Sequence, residues 1–169
     1  HDQSSAASDV YKRQEEKKAY FAGGCFWCVE EAFEKTPGVL KAISGYTGGD
    51  LKNPTYEQVT YNETGHYEAV EVVYDPKVIS YKQLLDVFWK NIDPYDAQGQ
   101  FCDKGSSYLT AVFYQNDEEK SAFEDSKKKL GKSDISDFVT HLKNCLLYTS
   151  DGCRRLIVWR CRGSPGAYE

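Results

Sequence analysis

A pair of glycines separates a short apolar run from a helical pattern, and a cysteine stands at the junction. Residues 19–22 form the apolar run, which predicts a strand, and Gly23–Gly24 predict a tight turn. Apolar side chains then recur at helical spacing from position 29 until Pro37–Gly38. This order of signals predicts a strand, a turn and a helix, with Cys25 where the turn enters the helix.

The position of Cys25 predicts a reactive sulfur. The first turn of a helix has unpaired N–H groups and partial positive charge, which favour thiolate over thiol. Gly24 leaves space beside the sulfur, and Phe26 and Trp27 place two apolar rings next to it. These features favour chemistry on a small, soft, apolar group.

Two other roles are open to the Cys25/Cys28 pair. The pair could be buried structural thiols, although a Gly-Gly turn before a C-x-x-C motif is a poor place to bury a side chain. A zinc site would need two further ligands at regular spacing, and the candidates His66 and Cys102 do not show that spacing. We therefore expect no bound metal.

The composition indicates one folded domain. The chain has 169 residues, of which 40% are hydrophobic and 14% aromatic, enough for a substantial core. A mean hydropathy of −0.64 and the lack of a long apolar run predict no membrane span. The net charge of −5 argues against a nucleic-acid-binding surface.

Both ends of the sequence resemble translated sequencing-adapter DNA. Residues 4–14 resemble a transposase adapter, and residues 145–151 resemble the same element read in the opposite orientation. We therefore expect an adapter-derived extension at 1–14, the domain at 15–144 and an adapter-derived tail at 145–169. The domain then holds three cysteines and shows no secretory signal pattern, which predicts a reducing, cytoplasmic environment.

Glu68 is the second residue that the pattern singles out. Residues 67–74 alternate as a strand that places Glu68 in line with Val70 and Val72. If that face is buried, desolvation disfavours the carboxylate and keeps Glu68 protonated near neutral pH, as an acid. The alternative is a solvent-exposed glutamate at the start of the strand, and parity does not decide between the two.

The rest of the domain alternates strand and helix patterns. We expect a strand over 39–47, a helix capped by Ser80 that ends near Asp93–Pro94, and a strand over 108–114. A charged helix follows a cap at 116 or 117 and stops at 131, and a last strand begins at 138–139. Polar loops are expected over 50–63 and 95–107. The pattern predicts an α+β fold, a two-layer α/β sandwich with a mixed, mostly antiparallel sheet and covering helices.

Five motifs in this order resemble the A-type peptide-methionine (S)-S-oxide reductases. They are Gly24–Glu30, Gly45–Gly49, Asn53–Tyr56, Thr64–Val70 and Cys102–Tyr108. The resemblance covers residues 17–142. It implies a repair enzyme for oxidative damage that reduces the S epimer of methionine sulfoxide, free or in proteins, to methionine. It also implies that the family's usual C-terminal stretch is absent after residue 144.

The resemblance implies roles for particular residues of these motifs. Cys25 would attack the sulfoxide sulfur, Phe26 and Trp27 would hold its methyl group, and His66 would be structural. Glu68 would protonate the sulfoxide oxygen. Tyr56 and Tyr108 would donate hydrogen bonds to that oxygen. Asp103 would help to organise the pocket.

The resemblance also implies how the enzyme is recycled. Attack leaves a sulfenic acid on Cys25, a second thiol condenses with it, and thioredoxin (or dithiothreitol in vitro) reduces the disulfide. Cys28 and Cys102 are both candidates for the second thiol. We expect a monomer that binds no cofactor, with methionine sulfoxide and thioredoxin as its partners.

Three other classes of protein remain as alternatives. A thioredoxin-like disulfide oxidoreductase also has C-x-x-C at a helix start, but does not account for Glu68 or the tyrosines. A cysteine hydrolase that uses Cys25 and His66 would need an orienting group and an oxyanion hole. A binding module would use Trp27 and the tyrosines as an aromatic patch.

Overall fold

The structure is a computed structural model that describes residues 15–61, 63–131 and 137–144. The two segments expected to be adapter-derived, 1–14 and 145–169, lie outside these residues. The described elements, in chain order, are β1 Lys17–Gly23, α1 Phe26–Glu34, β2 Val39–Thr47, α2 Tyr56–Tyr61, β3 Tyr67–Tyr74, α3 Tyr81–Asn91, β4 Gly99–Gln100, β5 Asp103–Lys104, a 3-10 turn Ser106–Tyr108, β6 Thr110–Tyr114, α4 Asp117–Leu130 and β7 His141–Asn144.

The main sheet has five strands in the order β2-β3-β1-β6-β7. The pairs β2·β3, β1·β3 and β1·β6 are antiparallel, and β6·β7 is parallel. The mixed, mostly antiparallel sheet of the prediction is confirmed. Strands β4 and β5 form a separate antiparallel hairpin.

Strand alternation divides the sheet into two faces. Helices α1, α3 and α4 cover one face and share a core with it, in which Phe21 of β1 stacks on Phe33 of α1 and contacts Phe88 of α3. The opposite face carries a smaller buried cluster of Tyr20, Ala22, Tyr67, Ala69, Ala111 and Phe113. The helices therefore form one layer and the sheet the other, which confirms the α+β class.

The helix boundaries follow from side-chain caps. Ser80 caps α3 and forms a reciprocal capping box with Gln83, as the sequence predicts. Asn116 caps α4 by accepting a hydrogen bond from the Glu119 N–H at 2.9 Å, and Gly131 ends the helix. No helix of the described ranges combines the length and the apolar character needed to cross a bilayer.

Two predicted loops contain short regular elements. Helix α2 lies within the 50–63 segment, where Thr55 and Gln58 exchange hydrogen bonds of 2.8 and 3.2 Å at its start. The 95–107 segment contains the β4–β5 hairpin and the 3-10 turn. Elements of two to six residues are too short for a periodic pattern, so the loop predictions were wrong there.

The last strand begins later than predicted. Phe138 precedes β7 and packs its ring against Trp89 and Phe123, at centroid distances of 5.7 and 6.1 Å. The pairing with β6 starts at His141. Phe138 therefore belongs to the contact with the helices rather than to the sheet, and the Val139 N–H donates to the Pro94 carbonyl at 2.9 Å.

Candidate active site

The junction of β1 and α1 places Cys25 at the N-terminal cap of the helix. Gly24 before it has a φ of +81°, and a Cβ there would lie 2.5 Å from Cβ of Gln100. Both the left-handed backbone and the lack of space require glycine. Strand, turn and helix therefore meet as predicted, with Cys25 half-buried between them.

Burial dominates the titration of the Cys25 thiol. Removal of the sulfur from water raises its pKa above the ordinary value, and the neighbouring Cys28 thiol raises it further. Hydrogen bonds from the backbone N–H groups of Cys28 and Trp27 lower the pKa but offset only part of this effect. The N–H groups at the helix start therefore favour the thiolate, as predicted, but the net pKa of Cys25 is raised because desolvation outweighs those bonds.

Glu68 lies buried at the start of α1. Its side chain faces the helix layer with Val70 and Val72, is 2% exposed, and its Oε2 accepts a hydrogen bond of 3.2 Å from the Phe26 N–H. Burial raises its pKa to about 7, and the nearby Asp103 carboxylate adds to the rise, while the bond from Phe26 opposes it. Of the two alternatives left by strand parity, the buried one is correct.

Two tyrosines and a second carboxylate adjoin Glu68. Burial raises the pKa of the Tyr108 hydroxyl, and the charges of Glu68 and Asp103 raise it further, so these groups lie close together. The Tyr56 side chain is hydrogen-bonded to Tyr108. Tyr56 comes from α2 and Tyr108 from the 3-10 turn, so separate elements bring their hydroxyl groups to one place.

Aromatic rings form one wall of the site. The Phe26 ring is buried and lies 5.4 Å from the Trp27 ring, which is 49% exposed. On its other side Phe26 contacts the ring of Tyr46, at 5.5 Å. Tyr46 is 1% exposed and pairs with Glu68 across β2 and β3. The wall is therefore closed at Tyr46 and open at Trp27.

Sequence reasoning gave no role to Tyr46 or Gln100. Tyr46 lies in the Gly45–Gly49 motif, but its position opposite Glu68 could be predicted only if the pairing of β2 with β3 were known. Gln100 is 1% exposed, packs on Gly24, and its side chain bonds the backbone N–H and C=O of Asp93, each at 2.7 Å. No periodic signal marks a lone buried glutamine in a short hairpin.

Cys28 and Cys102 are exposed free thiols. Cys28 is one helical turn from Cys25, and its side chain is within hydrogen-bonding distance of the Cys25 sulfur. Cys102 occupies the turn of the β4–β5 hairpin, which packs on Gly24 through Gln100. The two candidates for the second thiol therefore lie on different elements, α1 and the β4–β5 hairpin.

The His66 side chain is hydrogen-bonded to the backbone at both ring nitrogens. Its ring is buried between the N–H of Gly49, 3.3 Å from Nδ1, and the carbonyl of Leu51, 2.8 Å from Nε2. Both ring nitrogens have backbone partners, which fits a structural role rather than the base of a hydrolase. Within the part of the chain that the structure describes, no cluster of three or more histidine, cysteine, aspartate or glutamate side chains could hold a metal ion.

Comparison with known proteins gives consistent matches. A family model described as peptide methionine sulfoxide reductase matches residues 17–150. The peptide methionine sulfoxide reductase MsrA of Bacillus licheniformis is 56% identical over 117 residues, which are 69% of this chain and 65% of that protein. The Bacillus subtilis MsrA is 54% identical over 71% of this chain and 69% of its own length. The chain therefore spans about two thirds of these relatives.

Solved structures agree with the sequence matches. Methionine sulfoxide reductase A of Corynebacterium diphtheriae has a TM-score of 0.67 and 29% identity, over 76% of this chain and 64% of that one. Mxr1 of Saccharomyces cerevisiae in complex with Trx2 shares the fold, with a TM-score of 0.52 and 22% identity, over 82% of each chain. With the family model covering most of the sequence, the chain belongs to the peptide methionine sulfoxide reductase family.

Proposed function

We propose that this chain reduces the S epimer of methionine sulfoxide, free or in proteins, to methionine. The observation that carries the proposal is the buried Glu68, which has a pKa of about 7 and is bonded to the N–H of the residue next to Cys25. These observations support a role for Glu68 as an acid that retains its proton up to about pH 7, with its carboxyl group bonded one residue along the chain from Cys25. An S=O group becomes a good target for a thiol once its oxygen is protonated or hydrogen-bonded.

Each group of the site then has a role in the first step. Cys25, as the thiolate, attacks the sulfoxide sulfur while Glu68 gives its proton to the oxygen, helped by hydrogen bonds from Tyr56 and Tyr108. The protonated oxygen then passes from the methionine sulfur to the Cys25 sulfur, while the S–O bond of the substrate and the new bond between the two sulfurs break, which leaves methionine and a sulfenic acid on Cys25. The methionine sulfur is reduced by two electrons and the Cys25 sulfur is oxidised by two. Asp103 stabilises the protonated form of Glu68 by its nearby negative charge.

The aromatic wall accounts for the substrate. The methyl group of methionine sulfoxide is small and apolar, and the rings of Phe26 and Trp27 offer it an apolar surface beside the sulfur. The exposed edge of Trp27 leaves that surface open to a peptide chain. The site therefore suits both a free amino acid and a residue in an exposed segment.

The second step regenerates the thiol. A second thiolate attacks the sulfenic sulfur, forms a disulfide and releases water. Cys28 suits this role better than Cys102, because it is one turn away on the same helix and already adjoins the Cys25 sulfur. A dithiol protein of the thioredoxin type then reduces the exposed disulfide by thiol–disulfide exchange. Mxr1, which shares the fold, forms a complex with Trx2.

Methionine release without added reductant tests the proposal. The reduced protein is mixed with each epimer of methionine sulfoxide, and the methionine formed is measured per mole of protein. We expect about one equivalent from the S epimer and none from the R epimer, and no release from the Cys25→Ser variant. Equal release from both epimers, or release by the Cys25→Ser variant, would contradict the proposal.

A thioredoxin-like disulfide oxidoreductase is the alternative that the same assay separates. Such an enzyme needs both cysteines of the C-x-x-C motif for any turnover. The Cys28→Ser variant should still release the first equivalent of methionine if Cys25 is a nucleophile for sulfoxide. The family match and the buried acid beside Cys25 both favour the reductase.

A further inference from the structure

The segment that joins β2 to α2 carries Tyr56 to the site and is held at its middle by one side chain. Residues 48–55 contain no helix or strand. The Gly49 N–H lies 3.3 Å from Nδ1 of His66, and the Leu51 carbonyl lies 2.8 Å from Nε2. His66 therefore bonds this segment at two points from the start of β3.

These two partners define the state of the imidazole ring. A backbone N–H can only donate, so Nδ1 of His66 must present a lone pair to Gly49. A carbonyl oxygen can only accept, so Nε2 must carry a proton toward Leu51. Only the neutral tautomer with its proton on Nε2 makes both bonds, and a doubly protonated ring would set two donors against each other.

Close packing fixes the same contact. A Cβ on Gly49 would lie 2.5 Å from the Thr64 carbonyl oxygen and 2.6 Å from both Cδ2 and the backbone nitrogen of His66. The segment therefore rests directly on the backbone and the ring at residues 64–66. His66 is 7% exposed, so these hydrogen bonds are largely shielded from water.

The held segment leads within a few residues to the tyrosine. Pro54 is buried, and Thr55 starts α2 through its paired hydrogen bonds with Gln58. Tyr56 is the first residue of that helix, and its hydroxyl bonds Tyr108. A shift of the segment at Gly49–Leu51 would therefore move the Tyr56 hydroxyl relative to Tyr108 and Glu68.

We propose that His66, as a neutral imidazole with its proton on Nε2, is a positioning residue that sets the place of Tyr56 at the active site. The inference rests on the proposed function, in which Tyr56 donates to the sulfoxide oxygen. Both ring hydrogen bonds of His66 go to the backbone of the 48–55 segment. His66 acts through the 48–55 segment. Its effect on kcat therefore requires the hydroxyl group of Tyr56.

A double-mutant cycle tests this dependence. His66→Ala, Tyr56→Phe and the double variant are compared by kcat and KM for the S epimer. A displacement of about 1 Å can cost on the order of 100-fold in rate, so we expect His66→Ala to lower kcat by roughly 10- to 100-fold when Tyr56 is present. In the Tyr56→Phe background the same change should lower kcat by less than about 3-fold. Equal losses in both backgrounds would overturn the proposal.

The other histidine that the structure describes, His141, provides a control. Nδ1 of His141 lies 2.9 Å from the Tyr67 hydroxyl, at the far strand β7. His141→Ala should change kcat by the same factor with and without the Tyr56 hydroxyl. His66→Gln, whose amide can still donate to the Leu51 carbonyl, should recover part of the loss. A Gln variant no better than Ala would contradict the role given to that bond.

A measurement on the wild-type protein covers the case in which His66→Ala does not fold. The ¹⁵N and ¹H signals of the imidazole at neutral pH should show His66 protonated at Nε2 alone, and a proton on Nδ1 would overturn the proposal. A wild-type protein that releases no methionine contradicts the proposed function itself. An active wild type with equal losses in both backgrounds contradicts only the inference about His66.

Discussion

Glu68 is buried and Cys25 is half-buried, and burial has opposite consequences for the roles proposed for the two residues. It raises the pKa of Glu68 to about 7, which preserves the proton that an acid needs. It also raises the pKa of Cys25, which opposes the thiolate that an attacking sulfur needs. The backbone N–H groups of Trp27 and Cys28 offset part of the second effect. The site at rest is therefore better prepared as an acid than as a nucleophile.

The raised pKa of Glu68 predicts a pH-dependent cost to stability. The folded state keeps the proton up to about pH 7, whereas an unfolded chain loses it near 4.5, so folding binds a proton in between and stability falls as pH rises through that window. At 1.36 kcal/mol per pKa unit, the cost at pH 8 relative to pH 4 is roughly 3 kcal/mol. Glu68→Gln should abolish it.

Urea unfolding of both proteins at pH 4 and pH 8 measures this difference. We expect the free energy of unfolding of the Glu68→Gln variant to increase relative to that of the wild type between pH 4 and pH 8, by up to roughly 3 kcal/mol. The comparison between the two proteins cancels the contributions of titrating groups that are distant from Glu68. An identical pH dependence in both proteins would show that Glu68 does not keep its proton in the folded state.

At this scale the sequence predicts some properties and not others. The alternation of residues 67–74 was sufficient to put Glu68 on the face of Val70, and the structure confirms it. The net pKa of Cys25 was not predictable, because helix position gives the sign of one contribution while burial depends on packing. The contact of Gln100 with Gly24 depends on a tertiary approach that leaves no local pattern.

The strand–turn–helix junction is the element on which the site is built. Gly24 lets the chain turn in a left-handed conformation and lets the β4–β5 hairpin approach to within contact of the turn. The hairpin carries Asp103, whose charge acts on Glu68. One glycine therefore governs both the entry to α1 and the distance of the second carboxylate.

Gly24→Ala should damage both folding and catalysis. The left-handed φ and the 2.5 Å approach of Gln100 each penalise a methyl group, and together they should lower stability by about 2–4 kcal/mol. The hairpin must also move away from Cys25, so we expect kcat of the folded protein to fall at least 10-fold. Thermal unfolding and steady-state assays below the transition measure the two effects.

Gly38→Ala provides a matched control. Gly38 has a φ of +93°, and a Cβ there would lie 2.7 Å from Cγ2 of Ile79, so strain and crowding are similar. Its position after α1 contacts Val78 and Ile79 rather than the site. We expect a comparable loss of stability with kcat unchanged. A Gly24→Ala variant that keeps full activity would contradict the role of the turn.

Sequence patterns found the long elements and missed the short ones. The bounds predicted for β2 and β3 match the structure, because both strands are long enough to alternate. Helix α2 was missed because it buries a single residue, Val59, and is set by the local cap of Thr55 and Gln58. The β4–β5 hairpin has only two residues per strand, so its existence depends on the packing of Gln100.

Of the three thiols that the structure describes, the one proposed to react is half-buried and the other two are exposed. Cys25 is the N-terminal cap of α1 and precedes the buried Phe26, whereas Cys28 and Cys102 have surface positions. A disulfide between Cys25 and Cys28 would therefore present one sulfur to a protein reductant. Its formation needs no movement of the sheet, because both cysteines begin the same helix.

Replacement of each exposed thiol distinguishes the two candidates. With Cys28 as the second thiol, Cys28→Ser should release one methionine and then lower thioredoxin-dependent turnover by at least 10-fold, while Cys102→Ser should retain it. Turnover is followed by NADPH consumption with thioredoxin and thioredoxin reductase. Loss of turnover in Cys102→Ser but not in Cys28→Ser would reverse the assignment.

The order of the strands is a property of the whole chain that the sequence did not reveal. The α+β class followed from the sequence of patterns, but the placement of β1 between β3 and β6 depends on long-range pairing. That placement brings the end of β1 beside Glu68 in β3 and beside the turn before β6 that holds Tyr108. Each motif could be recognised from the sequence alone. Their meeting at one site depends on the strand order, which the sequence patterns do not give.

The pH dependence of methionine release in a single turnover tests the central claim, that Cys25 attacks opposite a protonated Glu68. In the wild type the rate should rise up to about pH 7 and then level off, because further gain in thiolate is offset by loss of the Glu68 proton. In Glu68→Gln the rate should be about 10²- to 10⁴-fold lower and should continue to rise above pH 7 as the thiol ionises. Profiles of the same shape in the two proteins would contradict the claim.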